Sequence, residues 1–237
     1  ADILLPVIPM GIDLDFAAGE GPVIHNPIRT SADVDALRPI HAEAELANVM
    51  DAIRLVRGAL KGQTPLIGFA GAPFTLASYL IEGGASRSFQ RTKQLMYGAP
   101  QTWHSLMSKL ADMLAGYLQA QIVAGVQAVQ LFDSWVGTLS PDDYRTYVLP
   151  YSQRIFGALH GLPTIHFGVD TATLLPLLRE AGGDVIGLDW REPLDQGWAL
   201  LGEVAVQGNL DPLALFAPRE LLAEKVRAIL RRAGGRA

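Results

Sequence analysis

The sequence predicts an α/β protein, and within that class it favours a (β/α)8 barrel, also called a TIM barrel. Short apolar runs alternate with longer helical patterns along the chain. In the second half the runs recur roughly every 20 to 35 residues, which is the spacing of a repeated βα unit. The length of 237 residues is close to the roughly 250 residues of a typical barrel. An open doubly wound sheet is the alternative, but no dinucleotide-binding glycine fingerprint supports it.

The candidate strands are apolar on both faces, as strands buried in a parallel sheet are. In chain order they are Asp2–Pro6, Pro65–Gly71, Ala128–Trp135, Pro163–Val169, Asp184–Trp190 and Ala205–Leu210. They are too few for eight strands, and the chain starts at Ala1 inside an apolar run and stops just after Gly234 and Gly235. We therefore expect one domain over residues 1–237, a barrel that lacks N- and C-terminal elements.

Helical signals lie between the candidate strands. Residues 41–60 and 100–124 carry apolar side chains at close to a 3.6-residue period. Ser140 followed by Pro141 predicts an N-cap and a first helical residue. Thr171 is expected to cap a helix that ends at Gly182, and Pro218 to open the last helix.

Composition excludes several function classes. The chain is 49% hydrophobic with a net charge of −5, which argues against disorder and against a nucleic-acid-binding surface. No apolar run reaches the roughly 18 residues of a membrane span, and no signal peptide is apparent. The absence of cysteine removes thiolate metal sites and fits a cytoplasmic protein.

In a barrel, reactive side chains follow the carboxyl ends of the strands. The polar residues expected there are Asp2, Tyr79, Asp133, Ser134, His166, Asp170, Asp189, Asn209 and Asp211. Most have a structural interpretation that is at least as good as a functional one. Asp211 before Pro212 is expected to cap a turn, and His166 to be a core histidine with its hydrogen bonds satisfied. Asp189 fits a structural ion pair and a ligand role equally well. Tyr79 is expected to follow a Gly/Pro-rich loop. Gly68 and Gly71 of that loop could either bind an anion or allow tight backbone packing.

Asp2 is the unusual residue, because it is an acid inside a predicted apolar strand. Burying a carboxylate without a partner is costly. Either an internal cation pairs with it or a ligand does, and the residues alone leave both possibilities open.

The segment Gly68-Phe-Ala-Gly-Ala-Pro-Phe-Thr-Leu-Ala-Ser-Tyr-Leu-Ile-Glu-Gly-Gly84 resembles a signature of the uroporphyrinogen decarboxylase family. Further similar segments follow the family order over the whole chain: Ala1–Leu4, Gly11–Leu14, Gly19–Pro22, Gln130–Ser134, Gly187–Trp190 and Gln207–Pro212. The family's Arg-Gln-Ala-Gly-Arg and Gly-His-Gly motifs are absent from the chain.

The resemblance implies a cytoplasmic homodimeric (β/α)8 barrel that uses no metal or organic cofactor. The implied reaction removes carbon dioxide from the four acetate side chains of uroporphyrinogen III and gives coproporphyrinogen III. By position, Asp2 matches the acid that faces the pyrrole N–H groups. Tyr79 and Ser134 match hydroxyl residues that contact the substrate.

Two other functions are weighed against this one. A zinc-dependent methyltransferase of the related barrel group would use thiolate chemistry, and the chain has no cysteine. A non-catalytic tetrapyrrole-binding protein would bind without turnover, which the sequence does not test.

Overall fold

The computed structural model describes residues 2–17 and 21–235. Within them the strands are β1 (Leu14–Ala17), β2 (Gly21–Ile24), β3 (Ile67–Gly71), β4 (Ala128–Asp133), β5 (Thr164–Gly168), β6 (Val185–Gly187) and β7 (Ala205–Gln207). The helices are α1 (Ser31–Ala36), α2 (Ala42–Glu45), α3 (Ala47–Leu60), α4 (Pro73–Glu82), α5 (Gln90–Gly98), α6 (Pro100–Ala124), α7 (Pro141–Tyr147), α8 (Leu149–Ala158), α9 (Leu175–Ala181), α10 (Leu194–Leu201) and α11 (Arg219–Ala233). Ala1 and part of the Gly19–Pro22 motif lie outside the described residues.

The order of the strands decides between the two predicted architectures. Strands β3 to β7 form one parallel sheet in which every strand pairs with its neighbours in the chain. A doubly wound sheet would reverse its order at a switch point, whereas consecutive barrel strands run in chain order. The α/β prediction and the barrel-type winding are confirmed, with five parallel strands in the described part of the chain.

The two faces of this sheet differ. Phe69, Phe132 and Phe167 lie on one face, where their rings meet edge to face with centroids 6.0 and 5.8 Å apart. Side chains alternate along a strand, so Leu131 and Asp133 point to the opposite face. The helices cover that opposite face, with α6 packed on β3 and β4 and with α4 packed on β4. We call the face that carries the three phenylalanines the aromatic face.

The predicted strand at Asp2–Pro6 is wrong. This segment is a turn followed by a short 3-10 helix at Leu5–Val7. The Asp2 carboxylate accepts a hydrogen bond from the Leu4 N–H at 2.8 Å, a local bond that competes with strand pairing. Pro6 lacks the N–H that a ladder requires.

Several helix predictions hold and three need correction. Ser140 caps α7 with Pro141 as its first residue, and the helices starting at Pro100 and after Pro218 are confirmed. The predicted helix over residues 41–60 is divided at Leu46 into α2 and α3. Thr171 makes no side-chain cap; its hydroxyl donates to the Gly168 carbonyl, and a short 3-10 helix precedes α9.

The third correction concerns the segment around Tyr79, which lies inside helix α4 and not after a loop. Pro73 occupies its first turn and Gly83 ends it in a left-handed conformation, a conformation that glycine adopts at no steric cost. None of the helices in the described ranges has the length and apolarity that a bilayer span requires.

Candidate active site

Asp2 lies near the carboxyl end of β3. A Cβ atom placed on Gly71, the last residue of β3, would be 3.1 Å from the Cβ of Ile3. Asp2 is partly buried, and among residues 2–17 and 21–235 it forms no ion pair. Of the two possibilities left open for Asp2, the internal salt bridge is not found in the described part of the chain.

Tyr79 is half-buried on α4 and faces Trp135. Its ring stacks on Trp135 with centroids 3.9 Å apart, and Phe89 meets the same indole from another side at 5.2 Å. Burial raises the pKa of the Tyr79 hydroxyl, and the nearby negative charge of Asp2 raises it further. The phenol stays neutral at ordinary pH and is available as a hydrogen-bond donor.

Ser134 is partly buried in the turn that follows β4. It stands between Asp133, which ends the strand, and Trp135, which stacks on Tyr79. The structure thus brings the segments of Ser134 and Tyr79 together through one indole ring. Asp2 is linked to these segments by its negative charge, which raises the pKa of the Tyr79 hydroxyl.

Asp133 is fully buried on the helix-facing side of β4. Its Oδ1 accepts a hydrogen bond from the Thr75 hydroxyl at 2.9 Å, while its Oδ2 has no partner among the described residues. Burial raises the pKa of this carboxyl group to about 7, although the bonds from Thr75 act in the opposite direction. The sequence indicated a polar strand end here, but it carried no signal for the contact with Thr75.

A second cluster of charges lies after β5 and β6. The Arg191 guanidinium bridges Asp170 and Asp189 at 2.9 and 2.7 Å, and it lies over the Trp190 ring at 4.5 Å. The buried Asp189 carboxylate also accepts backbone N–H bonds from Asp170 and Arg191. Of the two interpretations of Asp189, the structural ion pair is present. A cavity of about 410 Å³ adjoins this cluster at the carboxyl ends of β5, β6 and β7.

The turn cap at Asp211 and the core position of His166 also hold, although His166 Nε2 is buried without a hydrogen-bond partner among the described residues. Asp211 accepts a bond from the Leu213 N–H at 2.9 Å and caps a turn. His166 is fully buried between β5 and the helices, and burial lowers its pKa to about 4. Asn209 is buried, and its side-chain amide donates to the Asp189 carbonyl at 3.0 Å.

Gly68 and Gly71 serve tight packing. A Cβ on Gly68 would lie 2.6 Å from Gln121 Oε1, and one on Gly71 would lie 2.9 Å from Leu76. Both residues belong to β3 and are not in an anion-binding loop. Across the described part of the chain, no three His, Asp or Glu side chains are grouped so as to hold a metal ion.

Comparison with known proteins decides the family. The family model described as Uroporphyrinogen decarboxylase (URO-D) matches residues 1–237. The chain belongs to the uroporphyrinogen decarboxylase family. The uroporphyrinogen decarboxylase of Sorangium cellulosum is 56% identical over 240 residues, which cover 100% of this chain and 69% of that protein. The uroporphyrinogen decarboxylase of Carboxydothermus hydrogenoformans is 55% identical, with 100% of this chain and 68% of that protein covered.

Solved structures support the fold of this family member. A methyltransferase from Methanosarcina mazei superposes with a TM-score of 0.82 at 17% identity, covering 98% of this chain and 69% of that one. A B12-independent methionine synthase from a Shewanella species gives a TM-score of 0.52 at 12% identity and covers 93% of this chain and 63% of that one. At such identities the likeness concerns the fold alone.

Proposed function

We propose that this protein decarboxylates the four acetate side chains of uroporphyrinogen III to give coproporphyrinogen III, a step of haem biosynthesis. The observation that carries the proposal is the family match over the whole chain, together with relatives of that name at more than 50% identity. The proposed reaction uses no metal or organic cofactor.

Each turnover breaks the bond between an acetate CH2 and its carboxylate. The electron pair of that bond needs an acceptor, and a pyrrole that has taken up a proton provides one. Carbon dioxide leaves, and its bonding electron pair neutralises the ring and forms an exocyclic C=C bond. The former CH2 then takes up a proton and becomes a methyl group, and the ring releases the proton that it had first taken up. The protein must stabilise the pyrrole cation that exists before carbon dioxide departs.

Asp2 has the properties that this role requires. It is a partly buried acid at the carboxyl edge of the sheet, and no cation of the described residues neutralises it. A carboxylate in a partly dry cleft interacts strongly with a developing positive charge. It also accepts hydrogen bonds, so it can gather the four pyrrole N–H groups around itself.

In the proposed site Tyr79 and Ser134 supply neutral donors. The raised pKa of Tyr79 keeps its hydroxyl protonated, and the partly buried Ser134 belongs to the segment that stacks against Tyr79. We assign their hydroxyls to the propionate or acetate oxygens of the substrate.

The decisive experiment is Asp2→Asn in the protein at its full natural length. The amide oxygen still accepts from the Leu4 N–H, so folding should change little while the anion is lost. Turnover should fall about 100-fold or more, the usual effect of removing an electrostatic stabiliser. Conversion of uroporphyrinogen III, followed by chromatography of the oxidised porphyrins, measures it.

Asp211→Asn is the matched control. The Asp211 carboxylate accepts a hydrogen bond from the backbone N–H two residues later in the chain, as the Asp2 carboxylate does. It should keep parental turnover. Near-normal turnover of Asp2→Asn would refute the role of Asp2, and a parent protein that binds the tetrapyrrole without converting it would refute the decarboxylase function.

Removing one neutral donor should cost less. Tyr79→Phe and Ser134→Ala should each lower kcat/KM about two- to tenfold, since a single hydrogen bond contributes about 0.5–1.5 kcal/mol. An unchanged kcat/KM in both variants would exclude these hydroxyls from the site.

The remaining expectations complete the proposal. We infer one domain over residues 1–237, acting as a cytoplasmic homodimer without a nucleic-acid or membrane partner. Buried side chains from Leu4 to Ala233 contribute to one hydrophobic cluster, which supports a single domain. Light scattering of the purified protein tests the dimer, and a monomeric mass would refute it.

A further inference from the structure

The bond between Thr75 and Asp133 joins two segments that carry proposed site residues. Thr75 lies in the first turn of α4, and Asp133 is the last residue of β4. Both side chains are fully buried, and the donor and acceptor oxygens are 2.9 Å apart. The Thr75 hydroxyl also accepts a hydrogen bond from the backbone N–H of Trp135 at 3.3 Å. The Thr75 hydroxyl is therefore hydrogen-bonded both to the last residue of β4 and to the turn that follows it.

Neither side chain is on the aromatic face. Side chains alternate along β4, so Asp133 points away from the face that bears Phe132 and toward the helices. Its negative charge influences Tyr144, whose pKa is raised mainly by its own burial on α7 and further by Asp133. Because neither side chain has exposed surface, the pair is not placed to touch a ligand directly.

The two hydrogen bonds of Thr75 connect α4 to the end of β4 and to the turn after it. Thr75 and Tyr79 are four residues apart in α4 and so lie on the same side of the helix. Asp133 immediately precedes Ser134, and Trp135 both donates to Thr75 and stacks on Tyr79. Trp135 therefore contacts both Thr75 and Tyr79, which are themselves connected by one turn of α4.

We propose that Thr75 and Asp133 are positioning residues that set the spacing of the Tyr79 and Ser134 hydroxyls for the substrate. This inference rests on the proposed decarboxylase function. The pair fixes the relative placement of two donors that come from different parts of the chain, and small misplacements of such groups reduce rates severely. Asp133 serves as a buried acceptor, and the reaction does not require its charge.

A double-mutant cycle with Tyr79→Phe tests the inference. Thr75→Val removes the hydroxyl at nearly constant volume and should lower kcat about tenfold, whereas Thr75→Ser should restore it to within about twofold. In the Tyr79→Phe background the loss caused by Thr75→Val should shrink to about threefold or less, because the hydroxyl that it positions is gone. A purely structural role would give the same loss in both backgrounds.

Thr164→Val is the matched control. Thr164 is another buried threonine whose hydroxyl donates to a carboxylate, that of Asp184 at 2.8 Å, but it lies at the opposite end of the sheet, at the start of β5. It should destabilise the protein comparably, measured by urea unfolding, while kcat changes less than about twofold and adds independently to Tyr79→Phe.

The outcomes separate the two proposals. An inactive parent protein would refute the decarboxylase function on which the inference rests. An active parent with a Thr75→Val variant that keeps its kcat, or whose loss is equal in both Tyr79 backgrounds, would refute the positioning role alone. Thr75→Ala removes the same hydroxyl without adding a methyl group to the buried site and replaces Thr75→Val in the cycle if that variant does not fold.

Discussion

At the residue scale, Asp133 makes stability depend on pH. The ordinary pKa of its carboxyl group is 3.8, and burial raises it to about 7 in the folded protein. Between these values the native state holds a proton that the unfolded state has released, so the native state binds more protons and the free energy of unfolding falls as pH rises. Above about pH 7 both states are ionised and this contribution levels off.

Asp133→Asn should remove that dependence, because an amide does not ionise and still accepts from Thr75. Urea unfolding between about pH 5 and about pH 8 should show the variant gaining stability relative to the parent as pH rises. Glu224→Gln, an exposed change on α11, is the control and should follow the parent curve. A constant difference between Asp133→Asn and the parent at all pH values would contradict this account.

For Asp2 the proposed role stays a prediction, whereas the predicted strand conformation is wrong. An acid in an apolar segment marked a residue that needs a partner, and that reasoning depends only on the cost of burying charge. The strand assignment failed because a two-residue bond from Leu4 to the carboxylate decides the local backbone. The residue types alone do not show whether such a side-chain hydrogen bond forms, so the sequence could not predict its effect on the backbone.

At the element scale, helix α7 begins at an N-cap that the sequence predicts. The Ser140 side chain accepts a bond from the Asp143 N–H at 3.1 Å, with Pro141 in the first turn. Ser140→Ala should lower the free energy of unfolding by about 1 kcal/mol, the usual cost of losing an N-cap. Ser105→Ala, at an exposed position inside α6, should cost nothing or stabilise slightly in the same urea titration. Equal effects of the two changes would show that the cap does not contribute.

Helix α4 shows why another element was missed. Every residue from Pro73 to Ser78 is buried, as are Leu80 and Ile81. A helix that is buried nearly all round has no polar face, so the 3.6-residue alternation that identifies surface helices is lost. The glycines and prolines nearby then favoured a loop, and the tertiary packing against α6 overrode that local signal.

At the scale of the whole molecule, α6 is a central helix that packs against many other elements. It packs against α8, α4, α3, α5, α2 and β3. Leu110 in its middle has no exposed surface. Leu110→Ala should lower the free energy of unfolding by about 2–5 kcal/mol, because it removes buried contacts and leaves a cavity that close-packed neighbours fill only in part.

Val123→Ala in the same helix is the matched control, since Val123 is 65% exposed. Its effect should stay within about 0.5 kcal/mol in the same denaturant titration. Similar losses for the two variants would indicate that α6 is stabilised by helix propensity and not by its packing.

The sequence by itself determined the alternation of strands and helices, the cap at Ser140, the start of α11 at Pro218, and the family signature that contains Tyr79. These features depend on neighbours in the chain, on the periodicity of apolar residues and on local backbone chemistry. Tertiary structure alone decided the strand order that separates a barrel from a doubly wound sheet. It also decided the stacking of Tyr79 on Trp135 and the bond between Thr75 and Asp133, which joins residues 58 positions apart. No local pattern encodes such contacts, because they form only when the whole core packs and brings distant segments within hydrogen-bonding distance.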